Sequence, residues 1–212
     1  MKRDLAAFNS CERDPNQSFL YIYSWRPKCV SLGYSQNIDD EIDKEKAGKL
    51  GWDIVKRPTG GGIVFHNESE ITYSIITPIN NPIFPKGLVP SYKKISEAVV
   101  IGLKKIGITA QIGNIKKEGN SNKLCFSYPA EYEIIYQDKK IVGSAQKRGK
   151  KALLQQGSIF VRNNTDYSIL RNCDETIDAV SIEEAIGREI GFSELKDALV
   201  YGFKKGLEIE NN

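Results

Sequence analysis

In 212 residues there is one histidine, His66, and four cysteines, Cys11, Cys29, Cys125 and Cys173, with no CxxC pair among them. A structural zinc site needs several such ligands at paired spacings, so no metal is expected. Unpaired cysteines of this kind fit reduced thiols in a cytosol. No apolar run approaches the roughly 20 residues of a membrane-spanning helix. The opening residues, MKRDLAAFNSCERD, turn polar before a signal-peptide core forms, so the expectation is a cytoplasmic protein with no membrane partner. Excess charge of one sign is also missing: 30 Lys and Arg against 27 Asp and Glu leave a net charge of +3. Lysine pairs recur from Lys93-Lys94 to Lys204-Lys205, but they are scattered and lack interleaved aromatic residues, which argues against a nucleic-acid partner. No repeat and no linker-like stretch divides the chain. At 40% hydrophobic content, a single domain over residues 1–212 is expected.

Hydrophobic spacing supplies the elements. Residues 2–12 read as a short helix with Leu5 and Phe8 on one side, and residues 19–25 and 28–34 alternate like a hairpin around Arg26-Pro27. The charged stretch 38–50, between Asp39 and Gly51, predicts one amphipathic helix, and a strand follows over 52–56. Residues 63–77 carry strand-type side chains on both sides of a polar turn. Prolines 78, 82, 85 and 90 mark a loop, after which Ile95, Val99, Leu103 and Ile106 recur at helical spacing up to Gly107. Residues 113–123, rich in Gly and Asn, predict a mobile loop. Strand-like runs follow at 132–136, 140–147 and 152–161. Ser181 with Glu184 spells a capping box, and Leu195, Leu199, Phe203 and Leu207 stripe a last helix from Ser193. Strands in hairpins and helices in separate blocks predict an α+β fold, a mixed and largely antiparallel sheet flanked by helices.

Gly60, Gly61 and Gly62 stand in a row between strands, where glycine costs folding entropy and gives the core no side chain. Two readings are open: a bend or bulge, or a loop whose bare amides approach a carboxylate, a phosphate or a developing oxyanion, with Arg57 adding positive charge. His66 follows in an apolar strand. An isolated histidine ordinarily makes one satisfying hydrogen bond, so its assignment is to binding rather than catalysis. A second cluster, LCFSYPAEYEIIYQDKKIVGSAQKR, contains Cys125 and Lys140. A thiolate attacks a thioester readily, and an ammonium beside it both stabilises the sulfur and polarises the carbonyl. The competing reading makes Cys125 a small buried hydrophobe and Lys140 a surface lysine. Gly143 and Ser144, small residues in an otherwise apolar strand, leave room for a ligand. Cys11 and Cys29 sit in segments that read as packed, and Cys173 in a polar turn.

At these clusters the sequence resembles the lipoate protein ligase and octanoyltransferase superfamily, relatives of the biotin protein ligases. Arg57-Pro58-Thr59-Gly60-Gly61-Gly62-Ile63-Val64-Phe65-His66 is similar to its Arg-x-x-Gly-Gly-Gly loop with the following histidine, and Glu70-Ile71-Thr72-Tyr73-Ser74 to the continuation. Lys140-Ile141-Val142-Gly143-Ser144-Ala145-Gln146 resembles the segment of the catalytic lysine, and Ser31-Leu32-Gly33-Tyr34-Ser35-Gln36 an early strand end. The run from Cys125 to Glu133 resembles the cysteine segment of single-domain octanoyltransferases and lipoyl amidotransferases. The resemblance implies a sheet with a tunnel for an acyl group and an adenylate, and Cys125 and Lys140 as the catalytic pair. Arg57, Gly60, Gly61, Gly62, His66, Gly143, Ser144 and Ala145 would line the pocket. It implies transfer of an octanoyl or lipoyl group, through a cysteine thioester, onto a lysine of a lipoyl-domain or glycine-cleavage H-type protein. The donor would be an acyl carrier protein or a lipoyl domain, and no cofactor would be needed. The alternative is an ATP-dependent lipoate ligase using ATP and magnesium, with a separate accessory protein because no C-terminal accessory domain is expected. A third reading is a non-catalytic binding paralogue. Two departures stand out: Gln156 occupies a position where the family commonly has histidine, and Met1 stands almost at the first helix, where relatives usually begin with a strand.

Overall fold

A computed structural model of the chain describes residues 1–113, 125, 132–171 and 178–208. From the N-terminus the elements are α1 (Lys2–Arg13), β1 (Phe19–Tyr23), β2 (Cys29–Leu32), α2 (Ile38–Glu41), α3 (Lys44–Lys49), β3 (Asp53–Lys56), β4 (Val64–His66) and β5 (Glu70–Pro78). They continue with α4 (Leu88–Lys105), β6 (Gln111–Ile112), β7 (Ile134–Tyr136), β8 (Lys139–Arg148), β9 (Ala152–Phe160), α5 (Ile182–Ile186) and α6 (Phe192–Gly206). Six strands in the order β1-β5-β9-β8-β7-β6 form a large sheet with every neighbouring pair antiparallel. A smaller sheet, β3-β2-β4, has β2 parallel to β3 and antiparallel to β4. The α+β expectation holds.

β5 and β9 are buried along their whole lengths, and the two faces they present are chemically different. Ile71, Tyr73 and Ile75 face one core with Ile95, Val99 and Leu103 of α4 and Leu195, Leu199 and Phe203 of α6. On the other face, Ile76, Ala152 and Leu154 meet Ala7, Phe8 and Cys11 of α1. Further along that second face come Glu70, Thr72, Ser74, Gln156 and Ser158, all buried and all polar. Period-two alternation therefore places a polar row inside the protein, where polar groups persist only with partners or a ligand. The small sheet, packed on Ile42, Trp52, Ile63, Phe65 and Ile169, faces that row.

Several local expectations are corrected. The segments 19–25 and 28–34 do not form a hairpin: β1 pairs with β5, and β2 with β3 and β4. Alternation fixes which side chains are buried but not which strand is the neighbour. The stretch 38–50 is two short helices, because Ile42 is fully buried and bridges Leu170, and Asp43 then caps α3 by accepting from the Lys46 N–H at 3.0 Å. On α1, Phe8 is buried but Leu5 is exposed, and Asp4, Ala7 and Cys11 complete the inner face. Pro90 lies inside the first turn of α4, where its missing N–H has no helical partner to lose. The Ser181–Glu184 capping box is present at α5. The expected loop lies outside the described residues except for Gly113, and Cys173 lies outside them too.

Candidate active site

Lys140 reaches its position through a defect in the sheet. Gln137 and Asp138 both have positive φ, 49° and 63°, the two-residue turn that joins right-twisted antiparallel strands. Beyond it Ile135 pairs with Lys140 but Ile134 pairs with Val142, so Ile141 is an extra residue on β8. Ile141 and Val142 both enter the α4/α6 core. The bulge reverses the alternation, and Lys140 joins Gly143 and Ala145 on the opposite face.

There Lys140 is 1% exposed. Its Nζ lies 2.6 Å from Glu133 Oε1 and 3.4 Å from Cys125 Sγ, and it donates to the Cys125 carbonyl oxygen. Burial acts to strip its proton, but the charges of Cys125 and Glu133 outweigh burial and hold the ammonium above the usual lysine value. Cys125 is hooked to the end of the glycine loop, its N–H donating to Ile63 O at 2.9 Å, and it packs against Val64, Phe160 and Ala179. Gly143 makes this convergence possible, since a β-carbon there would come within 2.8 Å of Sγ.

The glycine loop is held from behind by Arg57, whose guanidinium is buried. It donates to Gly60 O at 2.9 Å, Gly62 O at 2.5 Å and Ser31 O at 3.0 Å. Burial lowers its pKa, the Cys125 charge works the other way, and among the described residues no carboxylate pairs with it. The Gly60 and Gly62 carbonyls are thus turned toward Arg57, and among the described residues the Gly60, Gly61 and Gly62 amides donate to no backbone carbonyl. Gly33 packs against this loop so closely that a β-carbon would overlap the Gly61 carbonyl oxygen.

His66 stacks on Trp25 with ring centroids 4.3 Å apart, its Nδ1 2.9 Å from Glu70 Oε2 and its Nε2 2.7 Å from Ser31 Oγ. Ser31 Oγ also accepts from Arg57 at 3.1 Å, so carboxylate, imidazole, hydroxyl and guanidinium form one chain behind the glycine loop. Ser31 is fully buried, which suits it to scaffolding rather than attack. On the opposite wall Gln156 donates to Asp4 Oδ2 at 2.8 Å and accepts from Thr59 Oγ1 at 3.1 Å.

These groups surround a cavity of about 590 Å³. Arg57, Gly61, Gly62, His66, Cys125, Lys140, Gly143, Ser144 and Ala145 all line it; Gly60 does not. Cys11 and Cys29 are buried elsewhere. Glu133 had not been singled out from the sequence, although a lysine inside an apolar hairpin demands a counter-charge and Glu133 is the carboxylate leading into that hairpin. Asp4 carried no sequence signal beyond its residue type, and Ser31 carried only its place in the Ser31–Gln36 segment, which suggested no role for its side chain.

The chain as a whole is similar to known proteins. Residues 1–204 match the lipoyl protein ligase A/B catalytic domain. Octanoyltransferase LipM of Carboxydothermus hydrogenoformans is 36% identical, with 90% of this chain and 75% of that protein covered. LipM of Clostridioides difficile is 34% identical, with 99% and 83% covered. Among solved structures, a lipoate-protein ligase A bound with ATP aligns at TM-score 0.79 and 22% identity over 100% of this chain and 83% of its own. A bi-partite lipoate protein ligase from Thermoplasma acidophilum aligns at TM-score 0.71 and 22% identity over 100% and 81%. These last two likenesses bear on the fold alone. The chain belongs to the lipoyl protein ligase A/B catalytic-domain family.

Proposed function

We propose that the protein is an octanoyltransferase that carries an octanoyl group on Cys125 from an acyl carrier protein to a lysine of a lipoyl-domain or H-type acceptor. The observation that carries this reading is the 3.4 Å approach of Cys125 Sγ to Lys140 Nζ inside one cavity. Cys125 attacks the donor thioester as thiolate. An Sγ–C bond forms, the carbonyl π pair moves to oxygen, and collapse expels the donor sulfur with the electron pair of the broken C–S bond. Lys140 meets the negative charge first on Sγ and then on the carbonyl oxygen. In the second half, the neutral amine of the acceptor lysine attacks the same carbonyl carbon. An N–C bond forms, the C–Sγ bond breaks to return the thiolate, and the amine proton passes to solvent. Both acyl donors are thioesters, already activated, so the route consumes no ATP. The relatives named octanoyltransferase LipM support it.

In the same reading Arg57, with Gly60, Gly61 and Gly62, shapes the wall toward which the acyl carbonyl turns. His66 steadies that wall, while Gly143, Ser144 and Ala145 form the opposite one. Mixing the protein with octanoyl-carrier protein should give an acyl adduct by intact mass, absent from Cys125→Ala. Formation of an acyl-adenylate from ATP and octanoate with no adduct on Cys125 would overturn the transferase reading in favour of a ligase. Binding of acceptor domains with neither product would indicate a non-catalytic role.

A further inference from the structure

A lysine removed from water holds its charge and its direction only against a fixed partner. Glu133 is that partner. It is buried, lines the cavity and lies 2.6 Å from Lys140 Nζ. Strand geometry brings it there: Ile135 pairs with Lys140, and Glu133, two residues before Ile135, shares the face of the hairpin to which the bulge turns Lys140. Its backbone is fixed as well, since the Gly113 N–H donates to Glu133 O at 2.7 Å. An ammonium has three N–H groups in a rigid tripod. With one directed at Glu133, the orientation of the tripod is set, and among the described residues it also reaches the Cys125 carbonyl oxygen and Sγ.

We propose that Glu133 is a positioning residue for acyl transfer: its carboxylate sets the rotation of the Lys140 ammonium, so that one N–H points at the attacking sulfur and meets the oxyanion once that sulfur is acylated. The proposal rests on the transferase reading and adds a residue that needs no contact with acyl chain or thiol. It also explains how Lys140 stays cationic beside apolar neighbours, where burial alone would neutralise it.

Among the described residues Cys125 faces this pair, Arg57 lines the same cavity, and Tyr92, outside the cavity lining, feels the Glu133 charge. Tyr92 donates its hydroxyl to Ser144 O at 3.1 Å, and burial with the Glu133 charge pushes its phenol far above the usual value, so it keeps its proton. Lys140 must be protonated to act, and activity is lost as pH rises through its pKa. In the wild type that loss falls above the ordinary lysine range. In Glu133→Gln the charge that opposes burial at Lys140 is reduced by one carboxylate, and the loss moves to lower pH.

The test is the pH dependence of acyl-enzyme formation in single turnover with octanoyl-carrier protein. Glu133→Gln should slow the step about tenfold or more at neutral pH and move the alkaline limb down by about one unit or more. Glu133→Asp, which keeps the charge but withdraws it by one carbon, should be slower than wild type with the limb where the wild type has it. A Gln variant slowed equally at every pH, or an Asp variant as fast as wild type, would overturn the proposal, and the second result decides the matter even if the Gln variant does not fold. Absence of acyl-enzyme in the wild type would instead overturn the transferase reading itself, and this inference with it.

Discussion

Gly143 and Cys125 face each other across a gap that no methyl group fits: a β-carbon on Gly143 would lie 2.8 Å from Sγ and 3.0 Å from Lys140 Nζ. The lysine end is flexible enough to retreat, but retreat takes it away from the sulfur. Gly143→Ala should therefore fold with close to wild-type stability and yet form acyl-enzyme about 100-fold more slowly, the scale of loss that follows from misplacing reacting groups by an ångström. Single-turnover rates set beside thermal melts would separate the two effects. A wild-type rate would mean that the reaction does not need the observed contact.

Gln156 joins the buried Asp4 carboxylate to Thr59 at the start of the glycine loop. Tyr23 also donates to Asp4 Oδ2, at 2.5 Å, so replacing Gln156 leaves the carboxylate half satisfied rather than orphaned. Gln156→Leu should lower stability by about 1–3 kcal/mol, the range for stranding buried polar partners. The change should be read as a lower urea midpoint at unchanged slope. If the midpoint does not move, the Asp4–Gln156–Thr59 chain is not holding α1 to the loop.

What the sequence made legible follows from the range of the interactions involved. The α4 and α6 stripes and the α5 capping box are local patterns, and each appears where the spacing put it. The partner of β2 was not legible, because Val30 and Leu32 would be equally buried beside β1 or beside β3 and β4. At the site, the glycine row and Lys140 were visible as residue types that a core does not favour, and Cys125 as a thiol in the same cluster as that lysine. The facing of Lys140 was not, since simple alternation gives it the parity of Val142 and only the extra residue in the hairpin reverses it. The Asp4, Gln156 and Thr59 contacts join segments far apart in the chain, and nothing local in any of the three announces the others.

The buried acids predict how the protein fails at high pH. Burial, reinforced by the charge of Asp53, pushes the Cys29 thiol up to about 12, and burial also raises Cys11. Burial raises the phenols of Tyr23, Tyr73 and Tyr92, with the Asp4 charge adding at Tyr23. Each is an acid that the folded chain keeps protonated longer than the unfolded chain does. Their contribution to stability is therefore complete below the unfolded pKa, about 8.5 for Cys and about 10 for Tyr, and declines as pH rises above it. The urea midpoint should begin to fall near pH 8.5 and fall faster beyond pH 10, and the phenolate absorbance of the three tyrosines should appear only with unfolding. Cys29→Ala should shrink the early part of the decline, leave a remainder from Cys11, and keep the tyrosine part. An early decline unchanged in that variant would assign it to groups other than the thiol at position 29.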